Sequence, residues 1–597
     1  MRRLFAYAVF FLSTMSAAQS ADDIEAIMKL FGENDPENLD SYEVERLSDM
    51  LERPLKINVS TSSVMTSCGL FSRYQVASLM DYRVRHGDVL SFSELAALDG
   101  FGRDFVDRIA PFISLYSNRL PGVGADTSAA AISDLAVRTG IKDAGQGCQW
   151  NAAVKYRVET GERLSASVSL SRSVSAYGLR PDAWSGSVEW DFLQYPVKIL
   201  FGDFNARFGQ GLALWNGMTM SGLSSSSSFI RASPGISRSW SFTGSASFTG
   251  MASEMNIGNI CTSVMLALPG IKNMSSTPEV VTLLPAINLV WNRSRGQFGL
   301  THYAELSGLS TAEETRIPDM KTSADMSFCI DGVDFGSEVS FDWVSRAVAA
   351  LCAVRLAAGE NLRLASILRF YPSSYSAEKS GAVRSGTKCS NEFGATFAGD
   401  FSAGEWVKIN GAEGFGSSVR RHSGSFSLDG AYYPIPKKGA EVSAQIKALV
   451  SWEAMLTDSF RLKVRLAERL RTWGRHFRTD ARIDVSWLLP SWEMTARFNA
   501  LQCDGIGLLS YIEGGYRNGP VAFYLRMGIY KIDDWDDRIY VYERDAPGSF
   551  NVPAFHGAGC WVSAMMSWRF ARWGRVYLRA SKKPGKAELK VQGVFSF

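Results

Sequence analysis

Residues able to do chemistry are thinly spread along this chain. The five histidines, His86, His302, His422, His476 and His556, stand alone, as do the eight cysteines, Cys68, Cys148, Cys261, Cys329, Cys352, Cys389, Cys503 and Cys560. A zinc site needs ligands at short repeated spacings and a disulfide scaffold needs dense cysteines; neither pattern occurs. HExxH, GxSxG and the phosphate-cradling GxxxxGK[ST] are absent too. The residues therefore predict no enzyme, no metal and no cofactor. Asp533, Asp534, Asp536 and Asp537 would offer oxygen ligands to a hard cation, but they lack EF-hand spacing and read better as a solvated acidic loop. Asp203, Arg207 and Gln210 lie among Gly202, Gly209 and Gly211, where they would line a gate, or the glycines would simply let a strand bend inward. Glu543 and Asp545 flank Arg544; two carboxylates alone do not make a hydrolase, and a loop lock inside a barrel is the other reading. The row Arg461, Lys463, Arg465, Arg469 and Arg471 would make a lumen attractive to anionic cargo. Its alternative, favoured here, is internal neutralisation by Glu468, Asp480, Asp484 and Glu493.

The elements that must position these groups fall into unlike parts. The chain has 597 residues, 46% hydrophobic and 21% charged, with a net charge of +3, which excludes wholesale disorder and a strongly basic nucleic-acid coat. Met1–Ser20 combines Arg2 and Arg3, an apolar run from Leu4 to Leu12, and small residues at Ser16, Ala18 and Ser20. That run is short against about 30 Å of hydrocarbon, so the segment reads as a secretory leader cleaved near Ala18 or Ser20. Beyond it there is no apolar run of about 18 residues, which leaves an exported soluble protein or a β-barrel. All 16 tryptophans stand at or beyond Trp150.

Helical spacing dominates the first part. Ile24, Ile27, Met28 and Phe31 share one face over residues 22–31, and Val44, Leu47 and Leu51 another over 40–52, ended by Pro54. Ser60 or Thr61 caps a further helix; Tyr74–Arg85, Phe92–Leu98 and Arg103–Ile109 follow, with a tight turn at Gly100-Phe101-Gly102 and a stop at Pro111.

Through Ile57-Asn58-Val59 with Thr61, Asp81-Tyr82-Arg83, Phe92-Ser93-Glu94-Leu95 and Gly100-Phe101-Gly102, this stretch resembles the tandem helix-hairpin-helix domain of the competence DNA receptors, a ComEA-like module. The resemblance implies hairpins whose glycines let backbone amides approach a phosphate at the next helix N-terminus. The matching positions are Gly100, Phe101, Gly102 and Arg103 in the second hairpin. The first departs from the pattern, with Gly69 one place early before Leu70-Phe71-Ser72, and Arg73 as the one suitable cation. Over 51–120 eight Lys and Arg face seven Asp and Glu, a weak balance for nucleic acid. A protein-docking or structural module is therefore favoured over DNA binding.

After the small-residue stretch Pro121–Ser133 the period becomes two. Phe460, Leu462, Val464, Leu466 and Leu470 point one way and the Arg461–Arg471 cations the other; Ala481–Trp487, Trp492–Ala500 and Leu164–Leu170 alternate similarly, the last after a Gly161-Glu162 turn. Strands of about 9–11 residues and many aromatics suit a membrane barrel of roughly 16–24 strands. Ala587–Phe597 resembles the terminal strand of outer-membrane barrels, which implies recognition by the barrel-assembly machinery. Leu200–Gly217 and Tyr540–Gly559 resemble recurring segments of Gram-negative envelope proteins that join a helix-hairpin-helix domain to a carboxy-terminal barrel.

The predicted fold class is a small all-α helix-hairpin-helix domain followed by a large antiparallel transmembrane β-barrel. Its divisions are 1–20 leader, 21–55 amino-terminal helices, 56–118 tandem hairpins, 119–148 linker and approach to the barrel, and 149–597 barrel, with loops at 308–323, 372–391, 411–424 and 531–557. The functional expectation is an outer-membrane conduit or scaffold, in contact with outer-membrane lipid, whose periplasmic helical module docks an unknown protein, or DNA, beneath the barrel mouth. DNA capture during uptake and an outer-membrane hydrolase are the alternatives.

Overall fold

The computed structural model describes residues 20–117 and 131–597, apart from 32, 34, 40, 144, 146, 161–162, 173–180, 182, 193–195, 218–225, 227–228, 240–246, 270–281, 294, 309–315, 360, 407–418, 438 and 458. The leader apart from Ser20, most of the linker and the Gly161-Glu162 turn lie outside the described residues.

Local chemistry sets the helices. Among the described residues they are α1 (Ser20–Phe31), α2 (Ser41–Glu52), α3 (Ser62–Ser67), α4 (Arg73–His86), α5 (Phe92–Ala96) and α6 (Arg103–Ile109). Thr61 caps α3 by accepting from the Val64 amide, and Ser91 caps α5. At α4, Ser72 and Gln75 each accept the other's backbone N–H, which satisfies two orphan donors at once. A two-residue parallel pairing of Leu55–Lys56 with Ile113–Ser114 clasps the chain before α3 to the chain after α6. Ile27, Leu47, Phe71, Leu79, Leu95 and Phe112 are fully buried in one core, so both helix pairs and the preceding α1–α2 hairpin form a single body.

From Ala131 onward the chain forms a closed antiparallel barrel of 24 wall strands among the described residues, with one short extra strand, Gly235–Arg238, beside Phe204–Arg207. Wall strands run from 8 to 15 residues. Closure pairs Ala587–Ser596 with Asp134–Asp143, and Ser133 and Phe597 exchange two backbone hydrogen bonds of 3.0 and 2.8 Å. Burial is inverted relative to a soluble protein: Trp184, Phe201, Leu368, Ile512 and Ile529 stand exposed on the outside, while Lys155, Glu254, Lys321, Asp342 and Arg369 are buried within. Such a wall satisfies its backbone internally and offers its apolar face to lipid. Connections are short at the rim that carries Ala131 and Ser596 (the near rim), residues 407–418 excepted. They are longer at the opposite, far rim, as at 208–234, 372–391 and 533–556. Trp568, Phe570, Trp573, Phe595 and Phe597 pack ring on ring at the near rim.

Several expectations need correction. The wall begins at Ala131 rather than 149, because AISDLAVRTGIKD mixes small residues into both faces and hides its alternation. Residues 316–323, expected as loop, open the strand Arg316–Ile330: its inward Asp319, Lys321 and Ser323 are polar, and outward only Met320 is strongly apolar, between Pro318 and Thr322. Residues 419–424 likewise belong to the strand Val419–Tyr433. The helical body does not hang beneath the mouth. α4 packs on the strands Thr282–Arg293 and Gly296–Ser307, and α3 on Gly235–Arg238, so the body fills the lumen.

Candidate functional site

The seat of this plug is electrostatic. Residues 20–52 hold eleven Asp and Glu against Lys29 and Arg46, and the wall around them supplies cations. At the tip between α1 and α2, a 3₁₀ turn at Pro36–Asn38 presents Asp35 and Glu37. Asp35 lies 2.7 Å from Arg465, 2.8 Å from Arg482 and 4.0 Å from Lys463. Glu37 lies 2.7 Å from Arg497 and 3.3 Å from Arg482, and accepts the Tyr542 amide at 3.0 Å. Along α2, Glu43 bridges Arg46 and Arg207, each at 2.5 Å, Glu45 meets Lys155, Asp49 meets Arg157 at 3.4 Å, and Glu52 meets Arg575 at 2.8 Å. Glu25 of α1 reaches Arg461 at 3.0 Å. These partners come from strands spread around the circumference.

Burial works against ionisation of Asp35, Glu37 and Glu43, but the facing cations more than offset it. Arg482 and Arg465 hold Asp35 below its ordinary value, Arg497 and Arg482 hold Glu37 well below, and Arg46 and Arg207 hold Glu43 at about 2. Glu45 and Glu52 go the other way, because burial outweighs their cations.

Far-rim loops descend to meet the plug. Gly202 has φ +97°, and a Cβ there would stand 2.2 Å from the Gly186 carbonyl oxygen. Just beyond it the chain leaves the wall, stitched by Asp203, which accepts the Gly186 amide at 2.8 Å and the Thr249 hydroxyl at 2.5 Å. Arg207 then points at the plug's Glu43, and Gln210 exchanges hydrogen bonds with the Arg231 backbone. Glu338 on the wall collects the amides of Gln210, Leu212 and Ala213 at 2.8, 2.9 and 3.0 Å. Nothing in its surroundings (GSEVSF) marks it in sequence. In the second loop Glu543 lies 2.7 Å from Arg579 and 3.1 Å from Lys583, Asp545 lies 2.6 Å from Lys590, and Arg544 lies 2.9 Å from Glu513. Tyr542 and Phe550 of that loop pack against the helical core.

The hairpin residues take other places. Arg73 is 3% exposed and spends its guanidinium on Glu254, at 3.3 Å, and on Cys261, anchoring α4 to the wall. Gly69 and Gly100 have φ +71° and +84°, and a Cβ on Gly100 would lie 2.4 Å from the Tyr74 ring, so Gly100 serves packing between the hairpins. Phe101 is buried 5.9 Å from Phe71. Gly102 precedes α6 with open space where a Cβ would go, and Arg103 is exposed. Both hairpin turns line a cavity of about 520 Å³ between plug, wall and the first loop, with Trp215 and Arg231 opposite.

The Arg461–Arg471 row faces inward. Its counter-ions are chiefly plug carboxylates, which sequence reasoning missed; Asp480 adds one contact to Arg465 at 3.5 Å, while Glu468 accepts the Thr479 hydroxyl and Glu493 serves Arg517 and Arg544. The aspartates at 533–537 shape turns: Asp537 collects the amides of Cys503, Asp504 and Gly505. Among the described residues no three His, Cys, Asp or Glu side chains group as a metal site.

No family model and no curated protein matches the chain. Among solved structures it is similar to the siderophore receptor PirA of Pseudomonas aeruginosa, at 9% identity over 78% of this chain and 80% of that one, TM-score 0.39. It is similar to the P pilus usher PapC translocation pore, at 9% identity over 78% and 99%, TM-score 0.37. A PapC-PapD-PapK-PapG tip assembly intermediate of E. coli gives 10% identity over 81% and 63%, TM-score 0.45.

Proposed function

We propose that this chain is an outer-membrane conduit closed by its own helical domain, and that opening requires the domain to shift within the lumen or leave it. The observation that carries the reading is the seat: an acidic hairpin held on all sides by cations of the barrel wall. Charge pairs at a water-facing lumen are retained where a contact must be specific and yet breakable. The inverted burial supports the membrane, and short near-rim turns against long far-rim loops support a near rim facing the periplasm. The helical domain then belongs to the periplasmic side, and its helix-hairpin-helix likeness becomes a docking device. Val84, Leu90 and Phe92 stand 83%, 59% and 42% exposed and offer an apolar contact to a periplasmic protein that would move the plug. DNA capture is the second reading. It is disfavoured in the seated state, where Arg73 is spent on the wall and the hairpin turns face an internal cavity. A hydrolase finds no support in the converging groups.

The test is reconstitution of the purified full chain into liposomes, with sugar-driven swelling as the readout. Slow swelling that accelerates when the seat is weakened supports the reading. Swelling as fast as an open pore from the outset, or recovery of the folded chain in the soluble fraction without detergent, overturns it.

A further inference from the structure

Two inward-facing arginine pairs sit directly opposite one another across the strands Phe460–Arg471 and Phe477–Leu488: Arg465 with Arg482, and Arg469 with Arg478. Like charges directly opposite one another in register are destabilising, and an anion between or near them relieves the repulsion. For Arg465 and Arg482 that anion is Asp35 of the plug. Arg469 and Arg478 have no carboxylate in ion-pair contact among the described residues, though Asp536 acts on Arg469 at longer range: Arg478 donates to the Arg538 carbonyl at 3.2 Å, and the buried Nε of Arg469 has no hydrogen-bond partner. Around them Arg471, Arg475 and Arg538 complete a cavity of about 490 Å³ at the far rim. Arg471 donates to the Arg475 carbonyl at 2.6 Å, and Arg538 to the Trp535 carbonyl at 2.9 Å. The local carboxylates are Asp504 and Asp536, both on Arg475, with Asp536 also 3.8 Å from Arg538. Within ion-pair distance five guanidiniums thus face two carboxylates, and three of the five hydrogen-bond only to backbone carbonyls or to nothing. A second cavity, about 480 Å³, shares Arg469 and Arg478 with the first and continues to Asp35 and Glu37.

We propose that this far-rim arginine basin binds a small phosphate-bearing solute, through the forked donors of Arg469 and Arg478. Planar guanidiniums match phosphate oxygens two at a time, which a scattered counter-ion cloud does not reproduce. Partial enclosure by the barrel wall strengthens each contact relative to open water. The inference goes beyond the gating reading and stands without it, since the basin lies at the far rim whether or not the plug moves.

The test uses the full chain folded in detergent, with inorganic pyrophosphate as probe in low-salt calorimetry. The expected result is saturable binding of one pyrophosphate per chain, weakened by about tenfold or more in R469Q/R478Q and unchanged in R295Q at the near rim. Acetate at matched ionic strength leaves it in place. Absence of saturation in the unsubstituted chain, equal binding by R469Q/R478Q, or displacement by acetate overturns the proposal. Heat-modifiable mobility reports whether the variant folds. Should it not fold, pyrophosphate protection of Arg469 and Arg478 from phenylglyoxal in the unsubstituted chain supports the site, and equal modification with and without pyrophosphate refutes it.

Discussion

Replacing Asp35 and Glu37 by their amides, D35N/E37Q, keeps the shape of the plug tip and removes both of its charges. Asp35 then no longer neutralises Arg465 and Arg482, which stand opposite each other in register, and Arg497 keeps only Asp484 at 2.6 Å. Removing one partner of a buried charge pair costs about 3–5 kcal/mol, because the remaining charge stays uncompensated. The unseated plug exposes these arginines to water, so most of that cost falls on the seated state. A shift of this size multiplies the open fraction by roughly 10²–10⁴. The assay is single-channel recording in planar bilayers, the unsubstituted chain beside the variant. The expected outcome is rare openings for the former and frequent, long openings for the latter. Adding Arg465→Met to the variant restores part of the closure by removing one of the two repelling guanidiniums. A folded variant as silent as the unsubstituted chain, with or without the added methionine, would refute the reasoning.

Acid should open the same lock. Asp35, Glu37 and Glu43 are held below their ordinary 3.8, 4.5 and 4.5, so their contribution to seating is complete above those values and fades as pH falls towards about 2; a shift as large as that of Glu43 is worth roughly 3 kcal/mol. Glu45 and Glu52, raised by burial, oppose this without reversing it, so conductance is expected to stay low at about pH 7 and 5 and to rise near pH 3. Glu338→Ala strands three loop amides at a cost of about 1–3 kcal/mol each where they stay buried, and should make residues 208–217 protease-sensitive in a barrel that remains heat-modifiable; unchanged proteolysis counts against the role. Gly202→Val forces a branched residue to φ +97° with its Cβ against the Gly186 carbonyl, so the yield of folded barrel should fall sharply, and an unchanged yield contradicts the geometry.

What could be read beforehand follows from where each side chain's surroundings are written. The hairpin Phe460–Leu488 was legible because lipid on one face and water on the other impose strict alternation, and the helices because their apolar spacing, the Thr61 cap and the stops at Pro54 and Pro111 are written locally; the Ser72 and Ser91 caps were not singled out. The first wall strand escaped because the inward positions between its outward Leu135, Val137 and Ile141 include Ala136 and Gly140, which blur the alternation, and residues 316–323 because Met320 stands outward between Pro318 and Thr322. The plug's position escaped for another reason. Contacts such as Glu37 with Arg497 join residues more than 400 apart in the chain, and no local period reports them. A trace was nonetheless present: the acid excess lies in residues 20–52, just before the 51–120 window in which charge is balanced. Arg73 shows the opposite failure, a cation whose family-based reading as a phosphate contact gave no hint of Glu254 on the wall.

The most direct measurement places a photo-crosslinking residue at position 37 in the full chain, illuminates intact cells, and maps the crosslink in protein recovered from the outer membrane. The account predicts an intramolecular link to the wall strands Phe477–Leu488 or Trp492–Gln502, or to Tyr542 of the descending loop. A link confined to other proteins, or a chain absent from the membrane fraction, would contradict it.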